Sequence, residues 1–233
     1  MLPLAILAGG HATRLGSLTK EFPKCLIEID RKPFVDWQLN LLVQKGYSDF
    51  IFCISYKSKM IQDHLGDGSR WGARIRYSLD GETQLGTGGA IQKALPLLGK
   101  SFGVIYGDSY LPTDYSAIEK AFLNSRGEAM MAVYHNRNEL DASNVEYTNG
   151  SLINYQKGTN DPKMHHIDYG LTYFHEEAFT NLKPHVTFDL SELCHRLSTE
   201  KKLAGFEVFQ RFYEIGSVSG IKEFSKYLRK AAG

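Results

Sequence analysis

Near its start the chain reads Leu4-Ala5-Ile6-Leu7-Ala8-Gly9-Gly10-His11-Ala12-Thr13-Arg14-Leu15, and Phe22-Pro23-Lys24-Cys25-Leu26 follows a short polar stretch. The apolar run Leu4–Leu7 has the length and character of a buried strand. It stops abruptly at two glycines, which let the backbone approach a ligand closely and turn N–H groups toward an anion. Arg14 and Lys24 bring fixed positive charge to the same place. That combination suits a polyphosphate. It is not a P-loop, because the Gly-x-x-x-x-Gly-Lys-Ser/Thr spacing is absent, and no Gly-x-Gly-x-x-Gly follows the strand.

Outward from this stretch, apolar runs alternate with helical periodicity. Leu26–Ile29 reads as a short strand, and Pro33–Lys45 repeats apolar residues at Phe34, Trp37, Leu41 and Leu42 as a helix does, with Gly46 to end it. Further strands are expected at 50–54, 73–79, 102–106 and 129–134, with helices at 59–65, 85–98 and 115–124 between them. Continuous rather than alternating apolar runs indicate a mainly parallel sheet covered on both faces. The fold class is therefore α/β, a doubly wound, Rossmann-like sheet. Val145–Tyr155, with Asn149-Gly150 at its middle, predicts a hairpin insertion. A strand at 169–174 and helices at 191–198 and 221–230 complete the expectation. No linker or repeat interrupts residues 1–233, which read as a single domain.

The composition is that of an ordinary globular chain: 233 residues, 42% hydrophobic, 23% charged, net charge +1. So small a net charge gives no electrostatic case for nucleic-acid or membrane binding. Three scattered cysteines, with no Cys-x-x-Cys, argue against a disulfide framework and fit a reducing cytoplasm.

Ligands of open α/β sheets lie at the carboxyl ends of the strands, and two more stretches reach that edge. Gln84-Leu85-Gly86-Thr87-Gly88-Gly89-Ala90 is a glycine-rich helix entry, able to read a flat base edge or meet an anion. Val104-Ile105-Tyr106-Gly107-Asp108 ends a buried strand in an aspartate, a position suited to a magnesium carboxylate. His165-His166 are split across a strand by their spacing and have no third ligand near them in sequence.

Together these elements resemble the sugar-1-phosphate nucleotidyltransferases (NDP-sugar pyrophosphorylases), whose signature is similar to Leu7–Leu15 with Pro23-Lys24. The resemblance runs from Leu7 to Gly216. It implies a nucleotide held by Leu7, Ala8, Gly9, Gly10 and Thr13, with Gln84, Gly88 and Gly89 at its base. It implies Mg2+ on Asp108, and catalysis by Arg14, Lys24 and Asp108. Tyr155-Gln156-Lys157-Gly158 resembles the family's E-K element, which implies a sugar-phosphate role for Lys157, although Gln156 stands where the acid is usual. Asp168 falls where relatives shape the sugar pocket. Phe212-Tyr213-Glu214-Ile215-Gly216-Ser217 resembles the D-I-G-T element, which makes Glu214 the second metal carboxylate, one methylene longer. Ala12 also departs, replacing a usual glycine.

The reaction implied is nucleotidyl transfer from a nucleoside triphosphate to a sugar 1-phosphate. The motifs look closest to heptose-1-phosphate guanylyltransferases. The segment His64–Gly72 is also similar to N-acetylmuramate- and hexose-1-phosphate uridylyltransferases, and a catalytically silent nucleotide-sugar-binding homologue is the alternative from another class. Phe206, Val208 and Phe209 are candidates for either an edge strand or an interface, and relatives are often oligomers, which implies a homodimer.

Overall fold

A computed structural model describes residues 1–10, 22–81, 83–136, 140–180, 182–183 and 186–231. In chain order these form β1 (Leu4–Leu7), the two-residue strands β2 (Glu28–Ile29) and β3 (Lys32–Pro33), helix α1 (Phe34–Gln44), β4 (Asp49–Ile54), α2 (Ser58–Leu65) and β5 (Arg74–Leu79). Next come α3 (Gly86–Leu98), β6 (Ser101–Tyr106), the short β7 (Ser109–Tyr110), α4 (Tyr115–Asn124) and β8 (Ala129–His135). The remainder is β9 (Val145–Thr148), β10 (Ser151–Tyr155), β11 (His166–His175), α5 (Leu190–Thr199), β12 (Leu203–Val208), the short β13 (Tyr213–Glu214) and α6 (Val218–Ala231).

Among the described residues nine strands share one sheet, ordered β10-β9-β11-β6-β1-β4-β5, with β8 paired to β11 and β12 paired to β8. β1 lies at the centre, parallel to both β4 and β6. Its side chains alternate between two cores. Leu4 and Ile6 pack with Val35, Leu39 and Phe122 on one face, and Ala5 packs with Ile91, Ala94 and Leu193 on the other. A strand buried on both faces needs a continuous apolar run, which is what residues 4–7 supply.

The sheet is mixed in one respect that alternation alone does not reveal. β11 inserts between β6 and β8 and is antiparallel to both. The Asn149-Gly150 hairpin joins β9 and β10 with both turn residues at positive φ (51° and 77°), as a tight hairpin turn requires. β12 is a parallel edge strand on β8 that takes up Phe206 and Val208, leaving Phe209 79% exposed.

α6 is held by a third apolar cluster, in which Phe224 and Leu228 meet Phe34, Ile29 and Ile215. Arg229 and Ser225 on the same helix reach Asp30 in the β2–β3 turn. No described helix is long and apolar enough to cross a membrane.

Candidate active site

The carboxyl ends of β1 and β6 open into a cleft of about 810 Å³, open to solvent. Leu7, Ala8, Gly9 and Gly10 form one wall and Gly107-Asp108 the floor. The two loops touch closely. A Cβ on Gly107 would fall 2.9 Å from that of Ala8, so only glycine lets Asp108 sit this near the β1 loop. Lys24 enters from a single 3-10 turn, Lys24–Leu26, just after Pro23. Its Nζ donates to Asp108 Oδ2 at 2.5 Å, with both side chains about a quarter exposed. Thr13 and Arg14 lie outside the described residues.

β13 brings the second carboxylate. Glu214 pairs with Ser109 across β7, and the Ile215 N–H donates to the Asp108 carbonyl at 3.0 Å. A Cβ on Gly216 would lie 3.4 Å from Lys24 Nζ and 4.0 Å from Asp108 Oδ2, so this segment closes over the ion pair. Glu214 is exposed as a residue and is not among those lining the cleft, but its carboxyl is desolvated. That desolvation, with the negative charges of Asp108 and Asp141, pushes it up to about 7, against the pull of Lys24. A carboxylate that makes its neighbour costlier to ionise, with an ammonium already seated on it, belongs to a donor set that a divalent cation would satisfy. Among the described residues no third Asp, Glu, His or Cys completes a protein cage. Two carboxylates are what Mg2+ takes when water and substrate phosphates supply the rest.

On one side of the cleft, Gln84 Nε2 donates to the Gly9 carbonyl (3.2 Å), which Ser55 Oγ also reaches at 2.7 Å. Gly86 and Thr87 line the cleft with Gln84, but Gly88 and Gly89 do not. They are buried beneath the 186–190 strap: a Cβ on Gly88 would sit 2.1 Å from Phe188 Cε2, and one on Gly89 2.8 Å from the Val186 carbonyl oxygen. The Gly88 N–H donates to the Phe188 carbonyl, and the Leu190 N–H to Thr87 Oγ1. The glycines therefore dock the strap, a packing role that motif reading had merged with base contact.

On the other side, Asp168 lines a smaller cavity with Tyr106, Tyr155 and Thr172, and Tyr106 belongs to both cavities. Desolvation pushes Asp168 up to about 6, while a hydrogen bond from the Gly170 N–H (2.9 Å) and the charge of Lys157 oppose the shift. Burial and Asp168 raise the Tyr106 phenol well above its usual value, so it stays a protonated donor. Lys157 is exposed, and its Nζ stands 3.5 Å from Asp189 Oδ2. Asp189 was not anticipated from sequence. It caps α5 in a capping box with Glu192, which the string Asp189-Leu190-Ser191-Glu192 announces. Cys25 and Cys53, in the cleft wall, are raised to about 12 by burial and remain inert thiols.

The sign of the Asp168 shift makes a stability prediction. A carboxyl raised from 3.8 to about 6 binds its proton more tightly folded than unfolded, so ionisation costs stability as pH rises from about 4 to 6, and the whole cost persists above that. Asp168→Asn can keep the bond from Gly170 without the charge. Thermal melts should show the variant more stable at pH 7.5 by roughly 1–3 kcal/mol, with the gap closing near pH 4. An equal gap at both pH values would reject the buried-charge account.

Against known proteins, a model of the nucleotidyl transferase family matches residues 4–230. Among individual relatives, N-acetylmuramate alpha-1-phosphate uridylyltransferase of Neisseria meningitidis is 39% identical over 113 residues, 48% of this chain and 49% of that one. The match thus spans about half the length of that relative. D-glycero-alpha-D-manno-heptose 1-phosphate guanylyltransferase of Aneurinibacillus thermoaerophilus is 26% identical over 227 residues, covering 96% of this chain and 97% of that one. In structure, HddC from Yersinia pseudotuberculosis complexed with GMP-PN superposes with a TM-score of 0.80 at 22% identity, covering 98% of this chain and 100% of that one. The inositol-1-phosphate CTP transferase of T. maritima gives 0.81 at 19% identity, covering 99% and 96%. At such identities the superpositions speak for the fold, and the family match extends across the whole sheet and the cleft it frames: this chain belongs to the nucleotidyl transferase family.

Proposed function

We propose that the protein transfers a nucleoside monophosphate from a nucleoside triphosphate to a sugar 1-phosphate, releasing pyrophosphate, with GTP and a heptose or related 1-phosphate as substrates. The observation that carries this reading is the Lys24–Asp108 pair on the cleft floor, between the Gly9-Gly10 backbone and the Lys157–Asp168 side. A phosphate monoester has its second pKa near 6, so the acceptor oxygen is largely deprotonated at neutral pH. It attacks the α-phosphorus in line, and the bond from that phosphorus to the α–β bridging oxygen breaks, with its electron pair leaving on pyrophosphate. No side chain needs to act as a base.

Catalysis is then positioning and charge stabilisation. Lys157 holds the acceptor phosphate, Asp168 accepts from sugar hydroxyls, and Gln84 meets the base. Lys24, with Arg14 from outside the described residues, offsets charge on the departing pyrophosphate. Mg2+ on Asp108 and Glu214 would supply neutralisation of the phosphate oxygens. A cytoplasmic site of action is part of the proposal and suits free, buried thiols. So is assembly as a homodimer.

A second reading, transfer of uridylate to a hexose or N-acetylmuramate 1-phosphate, draws on the Neisseria relative and on the His64–Gly72 segment. Pyrophosphate release with Mg2+, testing GTP, UTP, CTP, ATP and dTTP against a panel of sugar 1-phosphates, tests both. Turnover with GTP and a heptose 1-phosphate supports the first, and turnover only with UTP selects the second. No turnover with any pair, with nucleotide still raising the melting temperature, would favour a silent binding homologue.

Lys157→Ala should raise KM for the acceptor by about 10- to 100-fold, the loss of a charge-assisted bond of roughly 1.5–3 kcal/mol. KM for the nucleotide should stay within about threefold. Steady-state kinetics with each substrate varied in turn will read this. Equal rises in both constants would remove Lys157 from the acceptor.

A further inference from the structure

Gln38 is a polar side chain in the apolar stripe of α1, only 1% exposed. Its Nε2 donates to the Tyr106 carbonyl at 2.9 Å and to the Ser109 carbonyl at 2.7 Å. These two carbonyls flank Gly107 and Asp108, so one amide spans the turn that carries the carboxylate. Only the nitrogen end of the amide can donate to two carbonyls, which fixes its orientation. The opposite atom, Oε1, is buried without a partner within the described protein.

Leaving a buried acceptor unpaired is costly, and native folds keep such groups rarely. A side chain chosen only to fill α1 would be Leu or Met, like its neighbours Leu39, Leu41 and Leu42. What the amide adds is placement. The Tyr106 ring lines both cavities, Asp108 holds Lys24, and Ser109 pairs with Glu214. The two-point clamp therefore fixes the separation of the strand end behind Asp108 from the short strand in front of it, on which Glu214 is registered.

We propose that Gln38 is a positioning residue which sets the spacing of the Asp108 and Glu214 carboxylates for a divalent cation and the phosphates it meets. It touches neither substrate nor cation itself and acts through two backbone carbonyls. The inference rests on the cation role given above to Asp108, so its test includes a readout independent of turnover.

Mn2+ binding to the intact protein, followed by electron paramagnetic resonance with and without GTP, supplies that readout. Wild type is compared with Gln38→Leu and Gln38→Met, which fill the space without a donor, and with Asp108→Asn as reference. Gln38→Leu should weaken Mn2+ binding about tenfold. It should raise the Mg2+ concentration for half-maximal turnover by a similar factor and lower kcat 10- to 100-fold, with KM for nucleotide nearly unchanged. Gln38→Met, which keeps the length of the side chain, should lose Mn2+ affinity by the same factor at the same pH. If Gln38→Leu fails to fold, Gln38→Met decides the matter. Wild-type Mn2+ affinity in a folded Gln38→Leu or a folded Gln38→Met overturns the proposal. If Asp108→Asn binds Mn2+ as wild type does, the cation role of Asp108 falls and takes this inference with it. Loss of affinity in Asp108→Asn but not in Gln38→Leu rejects only the clamp.

Discussion

Asp108→Asn should lower kcat on the order of 10³-fold, about 4 kcal/mol of transition-state stabilisation. The substitution keeps the shape of the side chain and its place after Gly107. It removes the negative charge that Lys24 meets at 2.5 Å and on which a divalent cation would sit. Two losses then coincide: the cation's seat is weakened, and Lys24 is no longer anchored over the floor of the cleft. The pair is partly exposed, so its contribution to stability is small, about 1 kcal/mol or less. The melting temperature should therefore barely move while turnover collapses. Pyrophosphate release across a Mg2+ titration, with a melt run beside it, checks both halves. Turnover within tenfold of wild type would mean that Asp108 is a structural partner of Lys24 and nothing more.

Gly88→Ala should destabilise the fold by roughly 3 kcal/mol, because overpacking a filled contact forces side chains and backbone to shift. The added carbon would fall 2.1 Å from the Phe188 ring, and the Gly88 N–H to Phe188 carbonyl bond (3.0 Å) would have to yield with it. For a chain of this size the melting temperature should drop by about 6–12 °C. The nucleotide KM should rise as well, since the strap also seats Thr87 and Thr187 Oγ1 donates to the Gln84 carbonyl. Shortening the ring makes the cause testable. In the double variant Gly88→Ala/Phe188→Leu, the two costs should fall well short of adding, as expected for groups in contact. Strict additivity would place the damage elsewhere.

The frame of the molecule is readable from the chain because burial on both faces demands it. Leu4–Leu7, Phe50–Ile54 and Phe102–Tyr106 are unbroken apolar runs, and all three became the parallel centre of the sheet. Direction is less legible. Nothing in the residues around Tyr169–Phe174 says that β11 runs antiparallel between β6 and β8, because strand pairing depends on partners more than 30 residues away. At the site, residue chemistry identified Asp108, Lys24 and the Gly9-Gly10 loop, and the cleft contains all of them. The same reading assigned Gly88 and Gly89 to a ligand, since a glycine needed for a neighbouring chain looks the same in sequence as one needed for a nucleotide. Gln38 was passed over because helical periodicity marks it only as a polar residue among leucines. Its meaning lies in two carbonyls 68 and 71 residues further along.

The two-residue pairing of β13 with β7 bears on the order of synthesis. Glu214 is made 106 residues after Asp108, and its position depends on that pairing and on α6 seating against Phe34 and Ile29. A chain emerging from a ribosome can lay down β1, β4, β5 and β6 first, as domains tend to form from the leading end. It can close Lys24 onto Asp108 while residues 213–231 are still unmade. Such a nascent chain would have its cleft but one carboxylate. β13 and α6 follow the sheet in chain order, so the second acid can reach its place only after the strands that receive it have been made.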